Sequence, residues 1–340
     1  MDIKCYIQSS AAISPQQSFT GDYIPQLLPL TERNLMRAVE PAYTGFIPPN
    51  SLRRMSRLLK MGLTSALQCL RNCNSAVPGA IITGTGRGSL QDTEKFLHDI
   101  RTYEETALNP TPFIQSTYNS VNGLIALQQQ CTDYNNTFVH RGFSFEHALL
   151  DSILQIQEGV AESVLTGGFD EMTVEHHYIK SRIGYWKTEL TQPADMLGSD
   201  TQGTIAGEGS VFFLIGTAPS AVELKGMQML YKPTPEQLTA SLSQFLTQQG
   251  VAPEEIDLLV SGRNGDTRFD HYYDVAEKVL PSSVEKIHFK QYCGEYDTAG
   301  AFGMWTATQE LLSGRHKTAL LYNNFYGEQH TFVLLQGSKS

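Results

Sequence analysis

Apolar residues along this chain recur at two spacings that take turns: short runs or alternations of a strand, and the three-to-four-residue repeat of a helix. Met1-Asp2-Ile3-Lys4-Cys5-Tyr6-Ile7 alternates as a strand does. From Ser51 to Asn72 the apolar positions Leu52, Met55, Leu59, Leu63, Leu67 and Leu70 predict a helix. Ala80 to Thr83 is an unbroken apolar run closed by Gly84-Thr85-Gly86, a buried strand and its turn. Helices are predicted over 91–100, 116–130 and 145–159, the last with Leu149, Leu150, Ile153 and Ile156 on one side. Strands are predicted over 137–139 and 163–166. An irregular stretch from His176 to Ala206 follows, far longer than the usual loop of ~4–6 residues and therefore read as functional or as an interaction surface.

After a strand over 210–215 the pattern restarts, with strands over 222–231, 256–260, 286–289, 318–322 and 331–335 and helices over 235–249, 272–280 and 298–312. This alternation predicts a layered α/β fold of two stacked halves in an αβαβα arrangement. The boundary falls near Thr217 to Ala221, giving halves 1–217 and 218–340. No Pro-rich or charged linker separates them, so one shared core is expected.

Composition narrows the class. Apolar residues are 41% and charged residues 18%, as in globular domains, and no run approaches the ~20 apolar residues of a membrane helix. No basic segment precedes a long apolar block at the start, so a cytoplasmic protein is expected. A net charge of −10 argues against nucleic-acid binding, which needs a concentrated basic surface. The five cysteines are scattered. Cys69 and Cys73 have a helical spacing but no second pair of ligands nearby, so buried thiols and no metal are expected. Gly84-Thr85-Gly86-Arg87-Gly88 lacks the Lys-Ser/Thr of a phosphate loop and the dinucleotide spacing, and is read as a strand-end turn with no cofactor.

Several segments, in order, resemble the β-ketoacyl-acyl carrier protein synthases of the thiolase superfamily. They are Thr111-Pro112-Phe113-Ile114-Gln115-Ser116-Thr117 ahead of a helix, and His147-Ala148-Leu149 followed by the run from Val164 to Asp170. Gly207-Glu208-Gly209 before an apolar strand, the set Lys290, Gly294, Ala299 and Gly300, and Asn324-Phe325-Tyr326-Gly327 complete the resemblance. The resemblance implies a thiolase-type fold. Its chemistry needs a cysteine at a helix N-terminus and two histidines that assist decarboxylation and stabilise an enolate. Counting back from His147, the nucleophile position falls on Gly142. The first histidine position is Gly262 or Asn264, with no histidine between Ile256 and Asp270, and the second is Glu295. All three catalytic groups are absent, and no catalysis by the chain alone is expected.

Ser144 is the substitute nucleophile to weigh, with His140 and His147 as candidate bases, against a capping role at the helix start. Cys293 beside Glu295 is expected to be inert, because a carboxylate disfavours the thiolate. Arg53, Arg54, Arg57 and Lys60 form a basic patch, either a landing site for an acidic carrier protein or a solvated helix face.

A synthase-like chain without its triad resembles the chain-length factors of type II polyketide and aryl-polyene-like systems. That resemblance implies a non-catalytic subunit that forms a heterodimer with an active β-ketoacyl synthase, meets an acyl carrier protein and shapes the acyl tunnel. Phe113, Ile114, Thr117, Tyr118, Val121, His140 and Arg141 would then line the tunnel or interface, with 114, 117, 118 and 121 on one helical stripe. The same stripe could instead pack inside the subunit's own core. The rival readings are a stand-alone acyltransferase or thioester hydrolase using Ser144, and a homodimeric binding protein.

Overall fold

The computed structural model describes residues 3–19, 25–31, 33–73 and 77–337. Met1 and Asp2 of the expected first strand lie outside these residues.

The first half contributes β1 (Cys5–Ile13), α1 (Pro49–Leu52), α2 (Arg57–Asn72), β2 (Ala80–Gly84), α3 (Leu90–Thr102), α4 (Pro110–Ser116) and α5 (Ser120–Gln129). It continues with β3 (Tyr134–Phe138), α6 (Ser144–Gln157), β4 (Ser163–Asp170), α7 (Val174–Arg182) and β5 (Gly209–Gly216). The second half is β6 (Val222–Tyr231), α8 (Pro235–Gln248), β7 (Leu258–Ser261), α9 (Asp270–Glu277), β8 (Glu285–His288), α10 (Lys290–Cys293), α11 (Ala299–Leu312), β9 (Thr318–Phe325) and β10 (Gln329–Gly337).

The strand order β3-β2-β4-β5-β1-β6-β10-β9-β7-β8 repeats one motif. In each half the first strand pairs antiparallel with the last, the last antiparallel with the fourth, and the remaining two add parallel to it. Among the described residues the two half-sheets pair through Cys5 with Leu224 and Tyr6 with Glu223. Between them lie α6 and α11, whose buried side chains share one apolar cluster with β2, β4 and β5 on one side and β7, β9 and β10 on the other. α11 is apolar on all sides and almost wholly buried, as a helix sandwiched between sheets must be. The outer faces carry α2 and α5 over the first half-sheet and α8 and α9 over the second, each with its own core. The layering is that of the thiolase fold.

Three local expectations are corrected. The helix predicted over 116–130 begins only at Ser120, because a separate helix, α4, ends at Ser116 and Thr117 adopts an extended backbone between the two. Positions 114, 117, 118 and 121 therefore share no helical stripe. The stretch 176–206 is not uniformly irregular: α7 runs into it, capped by the Thr173 hydroxyl, which accepts from the His176 N–H. The helix predicted from Ser51 begins only at Arg57, so Arg53 and Arg54 sit in a turn and do not share its face.

Arg57 itself points inward. Its guanidinium makes two 2.6 Å bonds to the fully buried carboxylate of Glu208 and a further contact to Glu40. Glu208 also accepts from the backbone N–H groups of Ala38 (2.9 Å) and Met172 (3.0 Å), so one carboxylate ties β5 to α2, to the 37–40 segment and to the end of β4. Removing one member of a buried pair typically costs ~3–5 kcal/mol, and Arg37, 3.2 Å from Glu208, holds the loss on removing Arg57 to the lower end of that range. Arg57→Ala is expected to show that loss in chemical denaturation, whereas Arg54→Ala stays within ~0.5 kcal/mol of the parent.

Candidate functional site at the heads of the two central helices

The parallel strands β2, β3, β4, β7, β8 and β9 end on the same side of the layers, where α6 and α11 begin head to head. Side chains from both halves converge there. Gly300 in the first turn of α11 leaves the space that the Glu146 carboxyl of α6 occupies, since a Cβ at 300 would collide with Glu146 Oε1.

Between β3 and α6 the chain makes one 3₁₀ turn, Arg141–Phe143. Arg141 holds a left-handed φ of +53°, and its guanidinium pairs with Glu328 at 2.8 Å and lies 5.5 Å over the Phe325 ring. Gly142 is buried against Phe325, the last residue of β9. A Cβ on Gly142 would collide with the Cβ and ring of Phe325. Glycine is required here by this close approach, and the space a cysteine side chain would need is filled. Ser144 Oγ donates to the Arg141 carbonyl at 2.7 Å and accepts from the His140 N–H at 2.8 Å. Both partners are backbone atoms, so the hydroxyl closes the turn and presents its proton to a carbonyl, not to an imidazole.

In the second half, Gly262 follows β7 and lies against Asn323 and Tyr273, whose hydroxyl donates to the Gly262 carbonyl at 2.6 Å. Asn264 reaches the other way: its Nδ2 donates to Glu295 Oε2 at 2.7 Å. Lys290 Nζ donates to the same oxygen at 2.8 Å and to the Asn324 carbonyl at 3.0 Å. The Lys290 and Glu295 side chains are 0% and 1% exposed. Of the two registers considered, Asn264 is the residue brought against Glu295. Cys293 is buried, and burial pushes its thiol well above the ordinary range, with Glu295 adding to the effect.

The sequence reading missed the acids behind these residues. Asp170, at the end of β4, accepts from the Gly86 N–H (2.8 Å), the Thr85 hydroxyl (3.0 Å) and the N–H and hydroxyl of Thr298 (2.9 and 2.8 Å). The 84–88 turn thus grips a buried carboxyl instead of a phosphate. Burial, then the neighbouring Asp297, pushes Asp170 up to about 7. Asp297 is buried too, yet Lys180 (3.6 Å) and Arg87 (3.8 Å) hold its carboxyl below the ordinary range. Glu146 is buried with no ion pair, and burial raises it to about 8. The signal for these residues was present only as acids at strand ends and helix starts.

The remaining candidates separate. Phe113, Ile114 and Tyr118 are exposed on α4 and the turn after it, and Thr117 is exposed with its hydroxyl donating to the Ile114 carbonyl at 3.0 Å. Val121 is 1% exposed and packs against Gly62 of α2, so it belongs to the chain's own core and not to a shared surface. His140 is exposed and Arg141 half-buried beside β3, which pairs only with β2. Arg53 and Arg54 are exposed and Lys60 half-buried, while Arg57 is committed to Glu208.

Residues 31–184 match the model of the β-ketoacyl synthase N-terminal domain. Over these residues the chain is similar to the β-ketoacyl synthases. Its fold is similar along its whole length to solved structures of low sequence identity. One is the ishigamide ketosynthase/chain length factor, at 15% identity and a TM-score of 0.78 over 99% of this chain and 100% of that one. Another is a ketosynthase in complex with its chain length factor from Xenorhabdus doucetiae, at 16% and 0.79 over 98% of each. A third is a β-ketoacyl synthase from Burkholderia phymatum, at 12% and 0.77 over 100% of each. No curated protein matches the sequence. No helix among the described residues is long and apolar enough to cross a membrane.

The Glu146 carboxyl gives a pH signature. Its folded pKa of about 8 lies above the ordinary carboxyl value, so the folded chain keeps a proton that the unfolded chain releases above pH ~4.3. Its contribution to stability is full below that pH and is lost as pH rises through about 8. Glu146→Gln keeps the shape without the proton. Its stability relative to the parent is expected to rise by roughly 2–4 kcal/mol between pH 5 and pH 8 in denaturant titrations. A constant difference across that range would show that Glu146 is ionised in the fold.

Proposed function

We propose that this chain is a non-catalytic, chain-length-factor-like subunit that pairs with an active β-ketoacyl synthase in the cytoplasm and shapes its acyl tunnel. The two halves, 1–217 and 218–340, would act as one body, with Gly142, Asn264 or Gly262, and Glu295 standing where a synthase carries cysteine and two histidines. The observation that carries this reading is the contact of Gly142 with Phe325: no nucleophile is present, and a ring fills its place. The ionic lock of Lys290, Glu295 and Asn264 supports it, because a carboxylate at that point repels a developing enolate. The partner would bring the cysteine.

Surface chemistry supports the pairing. Phe113, Ile114 and Tyr118 are exposed apolar side chains, and the outer edge of β3 has no strand partner among the described residues. Obligate interfaces of this kind often exceed ~2,000 Å² in total. Arg53 and Arg54 remain available to an acidic acyl carrier protein, and Arg57 does not. Two of the similar structures are ketosynthase and chain length factor assemblies, which is the arrangement proposed here.

Two measurements test the reading. Incubation of the isolated chain with an acyl-carrier donor is expected to leave its intact mass unchanged, while co-expression with a ketosynthase gives a stable heterodimer in sedimentation. An adduct mapped to Ser144 would favour the hydrolase instead, and a lasting monomer in the presence of candidate synthases would count against pairing. Tyr118→Ala addresses the tunnel. The ring is 51% exposed, so its removal is expected to cost under ~1 kcal/mol in the isolated chain. The partnered complex should then release longer products. An unchanged product length would remove Tyr118 from the tunnel wall.

A further inference from the structure

Two histidines at the β3–α6 turn meet in a way the proposed pairing does not use. His140 Nδ1 and His147 Nε2 are 2.9 Å apart, a hydrogen bond between two imidazoles, and the ring planes differ by 10°. Phe138 stacks on His147 at 5.8 Å, and the edge of Phe143 meets both rings at 5.8 and 5.9 Å. The pair therefore spans the turn: His140 stands before the 3₁₀ segment Arg141–Phe143, and His147 one turn into α6.

We propose that His140 and His147 form a proton-sensitive clasp that holds the β3–α6 turn closed with one shared N–H and opens it when both rings are charged. A hydrogen bond between the facing nitrogens requires one to carry a hydrogen and the other a lone pair. Where His140 Nδ1 donates to the lone pair of His147 Nε2, a first proton has the outward Nε2 lone pair to occupy and leaves that bond in place. This singly charged state keeps the bond and strengthens it, as charge-assisted bonds are stronger. A second proton has only the facing lone pair of His147 to occupy. It replaces the hydrogen bond with two N–H groups and two positive charges pointed at one another.

Among the described residues no carboxylate is bonded to either ring. On α6, Glu146 is turned toward Gly300, and Asp151 is bonded to the Tyr134 hydroxyl of β3 and to Gln155. In the turn, Arg141 is paired with Glu328, which also holds Lys232 at 3.2 Å. From β10, Gln329 donates to the His140 carbonyl at 3.1 Å. Burial, then His140, lowers the affinity of His147 for a proton, in the direction the clasp requires. A neutral His147 stabilises the fold above the ordinary histidine pKa of ~6.5, and this stability is lost as pH falls through its lowered folded value.

The test uses the full chain alone, so it does not depend on the proposed partner. Imidazole nitrogen spectra are followed from pH 8 to pH 5 alongside amide exchange of residues 141–145, corrected for the intrinsic pH dependence. The expected result is two separated protonation steps, the second below the ordinary histidine value of ~6.5, with exchange at the turn rising tenfold or more across that second step. In His140→Gln the remaining ring should titrate in a single step and the exchange should lose its pH dependence. His147→Gln provides the same reading from the other side, and thermal melts confirm that each variant is folded. Two rings titrating together near the ordinary value would overturn the proposal. So would two separate steps with no change in exchange at the turn.

Discussion

The heads of α6 and α11 are organised around one buried ion pair, Lys290 with Glu295. Two charges removed from water are stable only where geometry and further hydrogen bonds replace what hydration supplied. Lys290 therefore has a carbonyl from Asn324 and Glu295 an amide from Asn264, which fixes the loop after β7 and the end of β9 against α10. The backbone of Glu295 is used as well: its N–H donates to the Ile205 carbonyl and its carbonyl accepts from Gly207. Gly207 can follow that path only without a side chain, because a Cβ would collide with the Cys293 carbonyl. One ion pair thus sets the position of three separate segments.

The neighbouring acids show how such a centre tolerates more carboxyls. Burial penalises the charged form unless a cation or several N–H groups compensate. Asp297 has Lys180 and Arg87 and stays ionised; Glu146 has neither and is held toward its neutral form. Asp170 falls between, bonded by four donors but raised by Asp297. Every one of these groups is tied to a partner or neutralised by burial, and none is poised as a base beside a nucleophile. The electrostatics are those of a fixed scaffold, consistent with Gly142 offering nothing to activate.

Much of this fold was legible in sequence because its strands and inner helices bury continuous or periodic apolar faces. α7 was not, for a physical reason: Val174, Tyr178 and Ile179 are exposed, so no core-facing stripe marks the helix. The break at Thr117 was also invisible, since the apolar positions on either side happen to keep helical spacing. Gly142 and Glu295 could be placed by counting along motifs. Arg57 could not, because its partner Glu208 lies 151 residues away and the local run of basic residues suggested a surface. Asp170 and Asp297 illustrate the same limit, as each becomes a site residue only when two strand ends are brought together. His140 and His147 were noticed as possible bases for Ser144, and the fold bonds them to one another instead.

The repeat within the chain makes its asymmetry informative. β3 and β8 occupy equivalent outer edges of the two half-sheets, and an unprotected edge is a template for pairing. β8 carries Glu285 and Lys286, which are engaged by His316 at 3.1 Å and by Glu277 at 2.5 Å. Charged edges of this kind discourage another strand. β3, Tyr134-Asn135-Asn136-Thr137-Phe138, carries no charge. Among the described residues after 221, the exposed large apolar side chains are Tyr231 and Leu312; between 97 and 183 they include Leu97, Phe113, Ile114, Tyr118, Tyr178 and Ile183. Two halves of one architecture thus differ in whether they shield their edge, and the half that leaves it open is the one bearing Gly142 at the head of its central helix. Association through that edge would bring a partner's residues to the side of the molecule where Gly142 meets Phe325.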